Sequence, residues 1–405
     1  MRGPITRCAG TVGTALACLA IAAGDAQAER LTVYSSMPLA GPSHAASEDV
    51  VRGARIALDE AGGVAGPHTV RLVSLNSASR RRGIWTPPLV SLNARRAASD
   101  DSTIAYLGEF NSGASAISLP ILNEAGILQV SPSNTATGLT RQAGASPGEP
   151  DKYYPTGLRT FGRLAPADHL QAAAIAALLE SSGAERAFLV DDGGAYGAGM
   201  RKMVTARLHG RGIAVAGRAV LRRPAAVARR VARRVARARA NVMVYTGITA
   251  SGAVRLWREV HRRAPRLALV AGDGVAEARF ARRIGRAAAR RTSLTLAVIP
   301  PSALPPAAQP LLATYRARFG REPGPYMPYG YEAMRAVLDC VRAPASAPSL
   351  REGVIGAFFA IRGRDSVLGR YSIDSNGDTT LSTFGVYGIG DGGRLEFRQA
   401  IDGSP

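Results

Sequence analysis

A chain of 405 residues with 51 Lys plus Arg against 30 Asp plus Glu carries a formal charge of +21, nearly all of it from arginine, because Lys152 and Lys202 are the only lysines. Three cysteines, two of them within the first 20 residues, leave no room for a disulfide framework or a cysteine metal site in one molecule. The length exceeds what one core fills, so two lobes are expected.

In chain order, Arg2 and Arg7 come first. An almost wholly small and apolar run follows from Thr11 to Ala23, then Ala26-Gln27-Ala28, the small-x-small pattern of a signal-peptidase site. The run is shorter than the roughly 20 residues a spanning helix needs. The pattern predicts a signal peptide over 1–28, cleavage after Ala28 and export to the periplasm or the outside. Lipid attachment at Cys18 is the competing reading, and the apolar Leu19 to Ala23 after it, where a polar tether belongs, weighs against it. Removing 28 of the 405 residues leaves 377, a charge of +20, and Cys340 alone, expected as a small buried hydrophobe.

From Arg30 onward strands and helices alternate. Leu31 to Ser35 reads as a strand, Ser47 to Glu60 as a helix stopped by Gly62-Gly63, Thr69 to Asn76 as a strand and Leu89 to Ala98 as a helix. Ile104 to Leu107, Ser115 to Ala125 and Leu128 to Ser131 continue as strand, helix and strand. Thr140 to Gly157 breaks the rhythm and reads as a surface loop before the crossing into a second lobe. The alternation restarts with helices over 169–181, 199–209, 225–239 and 252–263 and strands over 187–190, 213–219, 242–245 and 268–271. A strand from Thr292 to Ile299, helices over 310–319 and 331–341, and a β-rich tail with Asn376-Gly377 as a hairpin turn complete the chain. Strands separated by helices of ten or so residues imply parallel pairing. The expected fold class is therefore α/β, with two Rossmann-like lobes on parallel central sheets joined by a multi-strand hinge. Residues 29–159 with about 301–362 are assigned to the N-terminal lobe, and 160–300 with about 363–405 to the C-terminal lobe.

Common enzyme signatures are missing: there is no Walker sequence, His-Glu-x-x-His or Cys-x-x-Cys, and the Gly-x-Ser-x-Gly spacing of Gly144 to Gly148 falls within the loop Thr140 to Gly157 rather than on a strand-to-helix turn. The histidines are scattered without metal-ligand spacing. The arginine run from Arg229 to Arg239 carries Val227, Val231 and Val235 at i, i+4 and i+8, so it reads as an amphipathic helix on a sheet. No aromatics interleave with it to stack bases, which argues against nucleic acid. The informative places are the loops after strands, where open α/β sheets bind ligands. Gly108 to Ser115 and Pro132 to Thr135 offer hydroxyls and helix-start N–H groups suited to a carboxylate. In the second half, Asp191 to Gly197 presents Tyr196. Asp273 lies between two glycines, where it is either a turn residue or a partner for an ammonium group.

With these loops marked, the chain resembles the leucine/isoleucine/valine-type (branched-chain amino acid) substrate-binding proteins of ABC transporters, of the type I periplasmic-binding-protein fold, from about Leu31 to the C-terminus. The matching stretches are Gly53 to Leu58 with Gly62 to Gly66, Gly126 to Pro132, Tyr153 to Arg159, Tyr196 to Gly199 and Tyr329 to Ala333. The resemblance implies that Phe110, Asn111 and Ser112 meet a ligand carboxylate, that Ser133 and Thr135 add backbone and hydroxyl contacts, that Tyr196 covers the ligand and that Asp273 binds its ammonium. It further implies a monomeric, non-enzymatic protein without cofactor or nucleic-acid partner, which traps a small amino-acid-like ligand and delivers it to a membrane permease. A ligand-sensing receptor subunit of the same fold is the alternative. The chain departs from the family pattern at Thr246 to Ser251 and at Ser43 to Ala46, which carry no aromatic residue to set against the ligand.

Overall fold

The computed structural model describes residues 1, 3, 28–142, 145–222, 225–297, 299–300, 303–343 and 347–404. Apart from positions 1, 3 and 28, the expected signal peptide, with Cys18, lies outside the described residues. The first half runs β1 (Arg30–Met37), α1 (His44–Glu60), β2 (Val64–Ala65), β3 (His68–Asn76), α2 (Pro87–Ala98), β4 (Thr103–Gly108), α3 (Ser112–Glu124), β5 (Leu128–Ser131) and β6 (Phe161–Arg163). It continues with α4 (Asp168–Ser181), β7 (Arg186–Asp191), α5 (Ala195–His209), β8 (Ala214–Val220), α6 (Ala225–Arg237), β9 (Val242–Tyr245), α7 (Ala253–Arg263), β10 (Ala268–Ala271), α8 (Ala278–Arg283), α9 (Arg286–Ala289) and β11 (Thr292–Leu296). The C-terminal part adds α10 (Gln309–Phe319), α11 (Met327–Arg342), α12 (Leu350–Phe359), β12 (Thr383–Ile389) and β13 (Leu395–Asp402).

Two sheets form, in the orders β2-β3-β1-β4-β5-β6 and β13-β12-β11-β10-β9-β7-β8. Pairing is parallel except at β2 and at β12 and β13. The central strands are apolar on both faces because helices cover both. In the second sheet Ala187 and Leu189 face one core while Phe188 and Val190 face the other. The α/β expectation, with two parallel-dominated sheets, therefore holds.

The chain passes between the lobes three times: after β6, after β11 and before β12. These crossings correct the expected boundaries. The N-terminal lobe runs to Arg163, not 159, because Phe161–Arg163 pairs with β5 as an edge strand too short to announce itself in sequence. Residues 363–382 belong with the same lobe. There Arg364 meets Glu332, the Tyr371 hydroxyl donates to Glu332 at 2.8 Å, and Asp378 meets Arg163 at 2.8 Å. Charge partners far away in sequence decide this placement. The stretch Thr140 to Gly157, expected at the surface, is anchored inward by Thr140, Tyr153 and Tyr154, all buried.

Helix α12 was not expected, although Ser349 and Glu352 have the spacing of a capping box; Ser349 Oγ accepts from Glu352 N. Helix α11 begins at Met327, four residues ahead of the predicted start, with Pro328 in its first turn where no N–H is required. It crosses α1 at a glycine contact. A Cβ on Gly53 would overlap the Met327 carbonyl oxygen, and one on Gly330 the Val50 carbonyl oxygen, both rigid backbone. Gly53→Ala is thus expected to cost about 1–3 kcal/mol, read from the urea midpoint, as overpacking does.

Candidate functional site

The carboxyl ends of both sheets face one another across a cavity. All seven residues singled out from sequence line it: Phe110, Asn111, Ser112, Ser133, Thr135, Tyr196 and Asp273. They come from the loops after β4, β5, β7 and β10, where alternating strand–helix connections leave backbone groups free.

On the first lobe the two loops are laced together. Ser131 Oγ donates to the Glu109 carbonyl at 2.9 Å, Asn134 Nδ2 donates to the same carbonyl at 2.8 Å, and Ser133 Oγ donates to the Phe110 carbonyl at 2.9 Å. Ser133 therefore spends its hydroxyl proton on the loop, its N–H donates to Ser131 Oγ at 3.3 Å, and the lone pairs of its hydroxyl are left for a ligand. Ser112 Oγ instead accepts from the Ala136 N–H at 3.3 Å, which leaves its proton available to an acceptor in the cavity. Ser112 opens the 13-residue helix α3, so first-turn N–H groups without intrahelical partners meet the cavity beside Gly113. This end suits an anion.

Beneath the loops, Arg163 is fully buried. It donates to Asp378 at 2.8 Å, to the Ala136 carbonyl at 2.9 Å and to Thr140 Oγ1. It thereby fixes the loop that carries Ser133 and Thr135. Glu109, buried as well, accepts from Ser36 Oγ at 3.0 Å and Tyr106 OH at 2.7 Å. Burial pushes its carboxyl up from the ordinary 4.5 to about 8. Its folded pKa thus lies above its unfolded one, and the folded chain holds an extra proton between those values. Stability is therefore expected to fall as pH rises from about 4.5 to 8. Glu109→Gln should flatten that slope, which urea titrations at pH 5 and pH 8 would read.

The second lobe supplies the opposite pole. Asp273 accepts from Tyr196 OH at 3.1 Å and from Tyr326 OH at 3.2 Å. Burial raises the Asp273 carboxyl above the usual carboxylate range. Tyr326 belongs to the first lobe, at the start of α11, so this bond crosses the cavity. The loop before Tyr326 is held by Asp49, which accepts from the Gly324 N–H at 2.9 Å and also meets Arg321 and Tyr315. A second crossing bond joins Ser43 Oγ to Glu277 Oε1 at 2.9 Å, while Glu277 Oε2 has no hydrogen-bond partner among the described residues. Asp192 also lines the cavity, but its oxygens are taken by the N–H groups of Gly194 and Ile248 and by Ser251 Oγ. It shapes the wall.

The aromatic surface missing from Ser43 to Ala46 and from Thr246 to Ser251 arrives from elsewhere. Trp85, in the loop before α2, stands over Gly113, and Phe110 meets Tyr326 edge-on with centroids 5.3 Å apart. Sequence reasoning missed Trp85, Tyr326 and Glu277. Trp85 carried a usable signal as one of two tryptophans, placed in a loop just ahead of Pro87-Pro88. Behind the cavity wall, Asp168 is fully buried beside Thr135 and donates its N–H to the Thr135 carbonyl at 2.7 Å. Burial first, and nearby Asp273 after it, hold its carboxyl well above the ordinary range. No Arg, Lys or His lines the cavity among the described residues, and no group of three or more His, Cys, Asp or Glu there could hold a metal. No described helix is long and apolar enough to cross a membrane.

Residues 35–394 match the periplasmic binding protein family. The chain belongs to that family. A curated relative, the Leu/Ile/Val-binding protein BraC3 of Rhizobium johnstonii, is 26% identical over 254 residues, which is 62% of this chain and 63% of the relative. The aligned part thus spans less than two thirds of that relative's length. Among solved structures, the leucine-binding protein LivK of Thermotoga maritima superposes with a TM-score of 0.77 at 22% identity, covering 92% of this chain and 99% of that one. A solute-binding protein of an ABC transporter from Rhodopseudomonas palustris HaA2, in complex with p-hydroxybenzoic acid, gives 0.74 at 14% identity over 93% and 98%. At these identities the superpositions establish the fold, with two lobes facing one cleft as periplasmic binding proteins have them.

Proposed function

We propose that this periplasmic binding protein is an exported, non-enzymatic solute receptor that traps a small amino acid between its lobes and hands it to an ABC transporter permease. The observation that carries this reading is the polarity of the cavity. Hydroxyls and the α3 N-terminus gather on the first lobe, and Asp273, held by two phenols, stands on the second. A zwitterion satisfies both poles at once, its carboxylate at Ser112 and Thr135 and its ammonium at Asp273, so each end favours closure. The cross-cavity bonds from Tyr326 to Asp273 and from Ser43 to Glu277 are what the closed lobes add to that grip. The curated relative's name supports an amino acid as ligand.

Glu277 refines the choice. Its carboxyl lines the cavity and accepts from Ser43, and acceptor capacity beyond that bond is left unused by an aliphatic side chain and is used by one that carries a donor. Side chains bearing a hydroxyl, amide or amine are therefore expected to bind more tightly than leucine of similar size. Glu277→Leu should invert that order, as isothermal titration would show. Trp85→Ala should weaken every ligand, by roughly 1–3 kcal/mol, through lost ring contact.

The cavity's four aromatic rings, from Trp85, Phe110, Tyr196 and Tyr326, support a second reading, an aromatic acid, in keeping with the p-hydroxybenzoic acid held by the Rhodopseudomonas protein. Such a ligand leaves Asp273 without a cation. A thermal-shift screen of amino acids against aromatic carboxylates separates the two, since a ligand bound only by the folded state raises the melting temperature. Stabilisation by aromatic carboxylates alone would reject the amino-acid reading.

A further inference from the structure

The positive charge is not spread evenly. Residues 29–163 with 301–382, which build the first lobe, hold 22 Arg plus Lys against 18 Asp plus Glu, a net +4. Residues 164–300 with 383–405, which build the smaller second lobe, hold 27 against 11, a net +16. A genome-wide preference for arginine acts on both lobes alike and does not produce this imbalance.

Within the second lobe the excess lies on one face. Helices α6 to α9 cover the side of the sheet reached by Phe188, Val190, Met243 and Leu269, while α4 and α5 cover the other. Between 225 and 291 there are 17 arginines and three carboxylates. Two of those, Asp273 and Glu277, line the cavity, and the third, Glu259, is paired with Arg262 and Arg263. On α6 the turn-by-turn spacing that buries Val231 and Val235 leaves Arg229, Arg230, Arg233 and Arg237 exposed. None of these four has a carboxylate partner among the described residues. Arg234 on the same helix is exposed too, and further exposed arginines follow on and beside α7, α8 and α9.

We propose that the α6–α9 face is a docking surface for anionic phospholipid headgroups. A protein partner would want a desolvated apolar centre, and the exposed large hydrophobics Val64, Leu92, Leu158, Val220 and Phe397 all lie outside 225–291. A single-stranded nucleic acid would want exposed aromatic platforms, and Tyr245, Trp257 and Phe280, the aromatic rings of this stretch, are buried. A headgroup layer wants neither: it rewards many cations on one plane, each contributing a modest share, and the attraction is screened by salt. The guanidinium also pairs with phosphate in two-point fashion. Held this way, the protein would stay near a membrane whatever ligand its cleft takes.

The test is co-sedimentation of the protein, purified after export, with vesicles of mixed phosphatidylglycerol and phosphatidylcholine and with vesicles of phosphatidylcholine alone. Binding is expected only to the anionic vesicles, at low salt, and is expected to be lost in 0.5 M salt, about where the screening length has shrunk well below 10 Å. The triple variant Arg229→Gln, Arg233→Gln, Arg237→Gln should weaken it at least tenfold. A charge-matched control, Arg80→Gln, Arg81→Gln, Arg82→Gln in the first lobe, should stay within about twofold of wild type. Melting temperatures of both variants check folding. Equal losses in the two variants would assign the effect to net charge and overturn the proposal. So would equal binding to phosphatidylcholine alone, or retention by heparin with no binding to any vesicle.

Discussion

Asp273→Asn is expected to weaken amino-acid binding by roughly 10- to 100-fold while leaving the melting temperature of the unliganded protein nearly unchanged. The asparagine keeps the size of the side chain; its Oδ1 can accept from one of the phenols of Tyr196 and Tyr326, which hold Asp273 at 3.1 and 3.2 Å, while its NH2 donates to the oxygen of the other. What it loses is the negative charge facing the ammonium, and in a water-poor cleft a charge-assisted bond is worth about twice a neutral one. The pH dependence follows with a definite sign. Burial raises the Asp273 carboxyl, so as pH falls through that raised value the group is protonated and no longer attracts a cation. Wild-type affinity should fall as pH drops through that raised value, and that of Asp273→Asn should change less over the same range. Titration calorimetry over a pH series reads both. An asparagine variant that bound leucine or a donor-bearing amino acid as tightly as wild type would end the zwitterion reading, with the fold untouched.

The second large effect is on stability. Arg163→Ala is expected to cost about 3–5 kcal/mol, because it strips a buried carboxylate of a partner rather than removing an isolated charge. Asp378 depends on Arg163 at 2.8 Å and on Arg141 at 2.6 Å, and their charges hold its carboxyl below the usual range despite its burial. The same guanidinium binds the Ala136 carbonyl and Thr140, so its loss also frees the loop bearing Ser133 and Thr135. Ligand affinity should drop along with the urea midpoint. Because the folded pKa of Asp378 is depressed, the stabilisation it carries is present above its unfolded value of about 3.8 and fades as pH falls through the folded one. Wild-type protein should therefore lose this contribution in acid, whereas Arg163→Ala has less to lose. A midpoint unchanged by the substitution would mean that Arg141 alone satisfies Asp378.

The expected strands and the loops that follow them were legible because both depend on neighbours in sequence. Leu128 and Val130 alternate with Gln129 and Ser131 in a short run bounded by Gly126 and Pro132, and it forms β5 within that frame. Phe161–Arg163 escaped because a three-residue edge strand has no period to read, and what secures it is Asp378 more than 200 positions later. The cavity shows the same division. Phe110, Asn111, Ser112, Ser133, Thr135, Tyr196 and Asp273 sit just after strand ends, a place that local pattern marks. Trp85, Tyr326 and Glu277 reach the cavity only because α2, α11 and the loop after β10 are brought against it by packing.

By itself, then, the sequence determined the alternation of strands and helices, the parallel sheets it implies, and the strand-end loops that carry a binding site. The hydrophobic period and the turn residues act over a few positions, and nothing distant can reverse them. Tertiary structure alone decided which lobe residues 161–163 and 363–382 join, which aromatic rings line the cleft, and that Glu277 and Tyr326 cross it. It also decided that the arginines of α6 to α9 share one face. Those outcomes depend on distances between residues far apart in the chain, and the pairing of buried charges and the closing of two lobes set such distances only once the cores have formed.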